Sequence, residues 1–281
     1  MNKFIFFLSL FFLTQTVCFA KSLEFAVVSD THLIPSEHPV LFSESEKNTI
    51  FTVESINKND NIEFVVFLGD CIDKSNMESV QSFMNIVQNL NKPYYIVLGN
   101  HDSYAAGGIA KEDFIKFIHQ YNKRQDKKET SFYFKASSDA YGVILDGSSW
   151  LVPGKHGRYL PEQLKEVEKL LKFKKNDMIL IFQHFPLIPP NSNVSHYTLD
   201  AEPYIKLVEK YSNIVLIASG HFHKKKHVTD RSGIHHISAP ALGTRINSSG
   251  SGQYEVIRVN YDKSFFTRPH NITVDVIDVD I

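Results

Sequence analysis

The sequence predicts an α/β sandwich, and three observations carry that reading. Six short apolar runs rich in β-branched and aromatic residues recur along the chain, helix-patterned stretches separate them, and the runs end within a few residues in Asp, Asn or His. The runs are residues 23–29 (LEFAVVS), 62–68 (IEFVVFL), 94–98 (YYIVL), 141–145 (YGVIL), 178–182 (MILIF) and 214–218 (IVLIA). Continuous apolar runs bounded by polar turns fit strands buried on both faces of a sheet. Residues 77–90 place apolar side chains at 80, 83, 84, 87 and 90, a helical spacing, and residues 161–173 open with Pro161, suited to a first helical turn. Strands alternating with helices give a layered α/β class. After Gly220 the pattern changes to short strand candidates at 233–238 and 254–260, and residues 123–129 (KRQDKKE) read as a solvated loop.

Charge and composition narrow the function. The 281 residues carry 30 Lys+Arg against 31 Asp+Glu, so a basic groove for nucleic acid is not expected. Residues 1–20 begin with Lys3, continue through an apolar run at 4–13 and end in Cys18-Phe19-Ala20, the pattern of a secretory signal peptide cleaved after about Ala20. The apolar run falls short of the roughly 20 residues that span a bilayer, so no stable membrane span is expected after cleavage. The expected organisation is a signal peptide at 1–20 and one domain at 21–281, secreted or periplasmic. Cleavage would remove Lys3, the one charged residue of that segment, and Cys18, leaving 29 Lys+Arg against 31 Asp+Glu and a single cysteine, Cys71. Without an internal disulfide, stability must come from the core.

The strand ends hold the chemistry. They read Ser29-Asp30-Thr31-His32, Gly69-Asp70-Cys71-Ile72-Asp73, Gly99-Asn100-His101-Asp102, Gln183-His184 and Gly220-His221-Phe222-His223. Open α/β sheets collect ligand sites outside the carboxyl ends of their strands, so these groups are expected on one rim. Two carboxylates, an amide oxygen and four imidazoles suit Mn, Fe or Zn better than Cu(I) or Ca. Seven donors are too many for one ordinary ion but suit two ions that share a carboxylate, the arrangement that clamps both oxygens of an in-line displacement at phosphorus.

The ordered set DTH, GDCID, GNHD, QH and GHFH resembles the calcineurin-like metallophosphoesterase superfamily, and within it most resembles the bacterial class III cyclic-nucleotide phosphodiesterase-like branch. The motifs run from residue 30 to residue 223. The resemblance implies a four-layer α/β/β/α sandwich with a dinuclear site at the sheet edge. It implies Asp30, His32, Asp70 and His223 as ligands of one ion, and Asp70 as the bridge to a second ion completed by Asn100, His184 and His221. His101 is then the residue that contacts the phosphate and assists the leaving group, and Asp73 sits where some members hold that histidine with a carboxylate. On that basis Asp73→Asn is expected to weaken turnover more than metal content. Asp73 stands where purple acid phosphatases carry Tyr, and Lys74-Ser75 stands where protein Ser/Thr phosphatases carry Arg-Gly.

The expected activity is hydrolysis of small phosphodiesters, nucleotide-like or cyclic, through a hydroxide held between the two ions. The alternatives are a phosphomonoesterase of the same fold and a catalytically silent protein that captures phosphate ligands. Asp102 is expected to be a structural turn residue or an acid behind the ligands, and Cys71 a small buried apolar residue. The loops at 35–42, 103–108 and 189–199 leave the same rim and are expected to set leaving-group preference, with Tyr104 and Tyr197 as stacking candidates. His227 and five other histidines lack partners at motif spacing and receive no role.

Overall fold

The computed structural model describes residues 21–35, 44–188, 198–243, 252–261 and 273–280. The segment 1–20, Tyr197 and most of the loops at 35–42 and 189–199 lie outside the described residues.

The first half of the chain alternates as its patterning dictates. Strand β1 (Lys21–Val28) is followed by helix α1 (Ser45–Lys58), β2 (Phe64–Phe67), α2 (Met77–Val87), β3 (Tyr94–Ile96) and α3 (Lys111–Tyr121). The hairpin β4 (Phe132–Ser137) and β5 (Ala140–Leu145) comes next, then β6 (Gly157–Arg158), α4 (Pro161–Phe173), β7 (Met178–Gln183), β8 (Thr198–Leu199), α5 (Glu202–Lys210) and β9 (Ile214–Ser219). Four strands follow: β10 (Lys226–Thr229), β11 (His235–Ser238), β12 (Gln253–Tyr261) and β13 (Thr273–Asp280).

Two mixed sheets result. The first has the order β13-β12-β1-β2-β3 and the second β10-β11-β9-β7-β5-β4. In the first sheet β1, β2 and β3 run parallel, and in the second β5, β7, β9 and β11 do. The side-chain period of two sorts each central strand between two cores. Leu23, Phe25 and Val27 of β1 join Phe64 and Val66 of β2 and Leu180 and Phe182 of β7 in one cluster between the sheets. Ala26, Val28, Val65 and Phe67 instead face α1, α2 and α3. Ile179, Ile181 and Ile217 face α4 and α5 on the far side of the second sheet. The layers are therefore α/β/β/α, the four-layer sandwich expected. An aromatic group fills the inter-sheet layer: Phe25 stacks on Phe64 at 4.8 Å, and Phe182 meets both rings edge-on. Such rings are the largest single apolar contributions available to a core.

Two expectations need correction. The helices α1, α3 and α5 and the strands β4, β10 and β13 add to the elements read from sequence, because they are amphipathic or half-exposed and lack a continuous apolar run. The segment 123–129 is not simply solvated: buried Gln125 accepts from Ile96 N (3.0 Å) and donates to Ile96 O (3.0 Å), continuing the ladder beyond edge strand β3.

Candidate metal centre

The carboxyl ends of β1, β2 and β3 in one sheet and of β7 and β9 in the other open onto the same rim. Backbone pairing carries the β1–β2 ladder past the strands into the turns, with Asp30 N on Gly69 O (3.0 Å), His32 N on Asp70 O (2.9 Å) and Leu33 N on Cys71 O (3.1 Å). Gly220 N on His184 O (3.0 Å) joins the other pair of turns. The turns pack so closely that a side chain on Gly99 would collide with Asp70, and one on Gly220 with Ser29 Oγ and Asp30 Oδ2.

The backbone is strained where the chemistry is. Among the described residues, six non-glycine residues have positive φ, and five are Asp30 (49°), His32 (44°), Asp70 (49°), His221 (70°) and His223 (55°). A left-handed conformation costs an L-residue roughly 1–2 kcal/mol, so it persists only where the surroundings enforce it, commonly at functional sites.

Those turns bring donor atoms into adjoining clusters. Asp30, His32 and His223 form one, Asp70, His184 and His221 another, and Asp70 also groups with His32 and His101, the ligand-type atoms of each set lying within 4.8 Å of one another. In the first, His223 Nε2 lies 3.2 Å from Asp30 Oδ1 and 3.1 Å from His32 Nε2. His32 Nε2 is 4.0 Å from Asp30 Oδ1 and 3.9 Å from Asp70 Oδ2. In the second, His184 Nε2 is 3.3 Å from both Asp70 Oδ2 and Asn100 Oδ1. All seven candidate ligands, Asp30, His32, Asp70, Asn100, His184, His221 and His223, are thus at the rim.

The arrangement fits cations. Asp30 Oδ2 accepts from Ser29 Oγ (2.6 Å) and His221 N (2.9 Å), while Oδ1 is buried, receives no hydrogen bond and faces imidazole nitrogens. Edges of 3.1–4.0 Å between donors match a polyhedron around an ion with bonds of about 2.1 Å. The far nitrogens of two imidazoles are already used. His184 Nδ1 donates to Leu68 O (2.8 Å) and His221 Nε2 to Lys155 O (2.9 Å), which sets the tautomer and turns the other nitrogen's lone pair to the centre.

Electrostatics agree. Burial opposes ionisation of Asp30 and Asp70, yet His223 holds the Asp30 carboxyl, and His184 and His32 the Asp70 carboxyl, well below the usual carboxylate range. Burial lowers His184, but Asp70 and Asp30 win and push it up to about 9. Burial and the neighbouring His184 bring His221 down to about 4. Because the folded value of His184 is raised, its pairing with Asp70 stabilises the metal-free fold fully below about pH 6.5 and that contribution is lost as pH rises through about 9. Metal binding at pH 7 should therefore expel the His184 proton. Calorimetric titration of metal into chelator-treated protein, in buffers of different ionisation enthalpy, should show about one proton released, and no release would contradict the assignment.

Asp73 faces two histidines. His101 Nδ1 lies 2.8 Å from the Asp73 backbone carbonyl and 3.8 Å from its carboxylate, which is nearer His32 Nδ1 at 3.4 Å. The carboxylate thus lies beside both His32 and His101, and the main chain orients His101. Asp73→Asn therefore separates the two contacts: a roughly tenfold fall in metal affinity with turnover retained at saturating metal marks support of His32, and a larger loss of turnover than of metal content marks support of His101.

Asp102 and Cys71 take the structural roles expected of them, although their partners are not legible in the sequence. Asp102, fully buried, accepts from Cys71 N (2.8 Å), Ile72 N (3.2 Å) and Gly99 N (2.7 Å), clamping the turn after β2 to the turn after β3. Burial and Asp70 push its carboxyl up to about 7 against the pull of those N–H groups. Gln183 donates to Phe185 O (2.7 Å) and accepts from Tyr204 Oη of α5 (2.6 Å), fixing the turn that carries His184. Cys71 packs in the core under α1–α3, and burial pushes its thiol well up, so it is inert. The segment 148–156 forms a further rim wall. Lys111 Nζ holds its start through Asp146 and Ser148 O, and Trp150 O and Leu151 O accept from Ala105 N and Ala106 N. Its Trp150, Leu151 and Val152 are exposed.

The family model for calcineurin-like phosphoesterases matches residues 23–225. This chain belongs to the calcineurin-like phosphoesterase family. It is a metal-dependent phosphoester hydrolase. The phosphoesterase is 24% identical over 206 residues to a protein of Arcobacter nitrofigilis named "Probable glycerophosphodiester phosphodiesterase", covering 70% of each chain. It is 23% identical over 202 residues to a 3′,5′-cyclic adenosine monophosphate phosphodiesterase of Haemophilus influenzae, covering 70% of this chain and 69% of that one. Its fold is similar to that of a dimetal phosphatase from Danio rerio, with a TM-score of 0.66 at 14% identity over 85% of this chain and 95% of that one. Among the described residues no helix is long and apolar enough to cross a membrane.

Proposed function

We propose that the phosphoesterase is an exported phosphodiesterase acting on small nucleotide-like or cyclic phosphodiesters with two ions bridged by Asp70. The observation that carries the two-ion reading is Asp70 itself, which groups with His184 and His221 on one side and with His32 on the other. Asp30, His32, Asp70 and His223 would hold one ion, and Asp70, Asn100, His184 and His221 the other. The donors suit Mn, Fe or Zn. Bound ions would supply charge neutralisation at phosphorus and a water of lowered pKa as nucleophile.

The chain's own residues do the rest. Asp30 and Asp70 are held as anions by their imidazole neighbours and so are ready to receive cations. His101, about one-third exposed, has its backbone N–H on Asp70 Oδ1 (2.8 Å) and its Nδ1 on Asp73 O (2.8 Å). Its Nε2 is then the atom left to carry a proton to the departing oxygen. For His101→Asn we expect turnover of diesters with alkyl leaving groups to fall about 10²–10⁴-fold, and that of p-nitrophenyl esters, which leave without protonation, far less. An equal loss on both would remove the acid role.

The diester preference draws support from the names of the Arcobacter and Haemophilus relatives, and the export reading from residues 1–20. A side-by-side assay of bis-p-nitrophenyl phosphate, p-nitrophenyl phosphate and 3′,5′-cyclic nucleotides with Mn-loaded protein tests the first. The diesters should be turned over faster, and exclusive monoesterase activity would overturn it. N-terminal sequencing of protein recovered outside the cytoplasm should begin at about residue 21.

A further inference from the structure

A second histidine group lies on the edge of the second sheet, and the metal centre does not use it. His227 on β10 and His235 on β11 bring Nε2 and Nδ1 to 2.9 Å, with ring centroids 5.1 Å apart. Thr229 Oγ1 is 3.3 Å from His235 Nδ1. The register explains the meeting. In the antiparallel pair Thr229 stands opposite His235 and His227 opposite Ile237, so His227, Thr229 and His235 share one face of a two-strand ladder. His236 points to the other face, where its Nε2 meets Asp230 Oδ2 at 2.9 Å.

We propose that His227 and His235 form an auxiliary chelating site for one divalent transition ion of the imidazole-preferring class, Ni(II), Cu(II) or Zn(II). Metal–imidazole bonds are about 2.0–2.1 Å, so nitrogens 2.9 Å apart subtend roughly a right angle at such an ion, the angle between neighbouring ligands in square or octahedral coordination. Backbone pairing on both sides of the contact holds the two rings together before any ion arrives, which reduces the ordering cost of binding. Burial and nearby Lys225 hold His227 below the usual histidine value, and burial and His227 do the same to His235, so both present neutral imidazole at neutral pH. His227 is exposed, leaving the remaining coordination positions to water, and Thr229 can hydrogen-bond one such water. No carboxylate belongs to the pair, so it discriminates against Mn(II), which favours the carboxylate-containing centre at the rim.

That selectivity makes the site testable independently of catalysis. Full-length protein loaded with Mn(II) is dialysed against micromolar Ni(II), and both metals are counted. We expect one Ni per chain to be retained with Mn unchanged. His227→Gln and His235→Gln should each weaken Ni retention at least tenfold without altering Mn content or the far-ultraviolet circular dichroism. Ni retention unchanged in both variants would overturn the proposal, as would one-for-one loss of Mn. Should either variant misfold, the wild type decides: substoichiometric paramagnetic Ni(II) should broaden the imidazole resonances of His227 and His235 before those of other histidines, and uniform broadening refutes the site.

Discussion

Asp70→Asn is expected to reduce kcat/KM by about 10³-fold or more and to leave a folded protein. The substitution keeps the size of the side chain and an oxygen for the His101 N–H (2.8 Å), but it removes the negative charge that faces His32 and His184. An amide cannot hold two cations together as a carboxylate does. Metal ions contribute several kcal/mol of charge stabilisation to reactions of this kind. A loss of about 4 kcal/mol is a thousandfold in rate. Steady-state assays at high Mn with parallel metal analysis measure both parts. Loss of less than tenfold with full metal content would remove Asp70 from the bridging position.

Asp102→Ala is expected to destabilise the metal-free protein by about 3–5 kcal/mol, the second large effect. Three buried backbone donors, on Cys71, Ile72 and Gly99, would lose their acceptor, and each unsatisfied buried donor costs roughly 1–3 kcal/mol. Asp102→Asn should cost less, because one oxygen can still serve Cys71 and Ile72 while the amide group opposes Gly99 N–H. Urea unfolding in the presence of chelator isolates this effect from metal loss. A change below about 1 kcal/mol for the alanine variant would show that the turns after β2 and β3 hold their shape without the clamp.

The contrast between Asp70 and Asp102 shows what the sequence makes legible. Asp70 closes an apolar run in a recurring pattern, and the class of fold follows from the same runs, because strands buried on both faces must be apolar throughout. Asp30, His184 and the His221–His223 pair are legible for the same reason. Asp102 lies beside the same motif, yet its hydrogen bonds reach residues about 30 positions away, and no local spacing encodes such a contact. Lys155 is more remote still: it acts through a carbonyl, which every residue possesses, so its support of His221 (2.9 Å) leaves no trace in residue type. Asp73 is ambiguous for the related reason that its carbonyl meets His101 while its carboxylate lies near both His32 and His101. The strand β4 escapes notice because alternate side chains of an edge strand face solvent, and α3 because only Phe114, Ile115 and Ile118 are fully buried in a short helix. His227 and His235 are eight residues apart and meet only because β10 and β11 fold back on one another.

The most direct test of the account is electron paramagnetic resonance of the Mn(II)-loaded protein, with the metal counted on the same sample. Two Mn per chain should be bound in the rim centre and should give the exchange-coupled spectrum of ions joined through a shared carboxylate, collapsing to an isolated single-ion signal in Asp70→Asn. A single Mn per chain at saturation, or two ions with uncoupled spectra in the wild type, would contradict a centre built around Asp70.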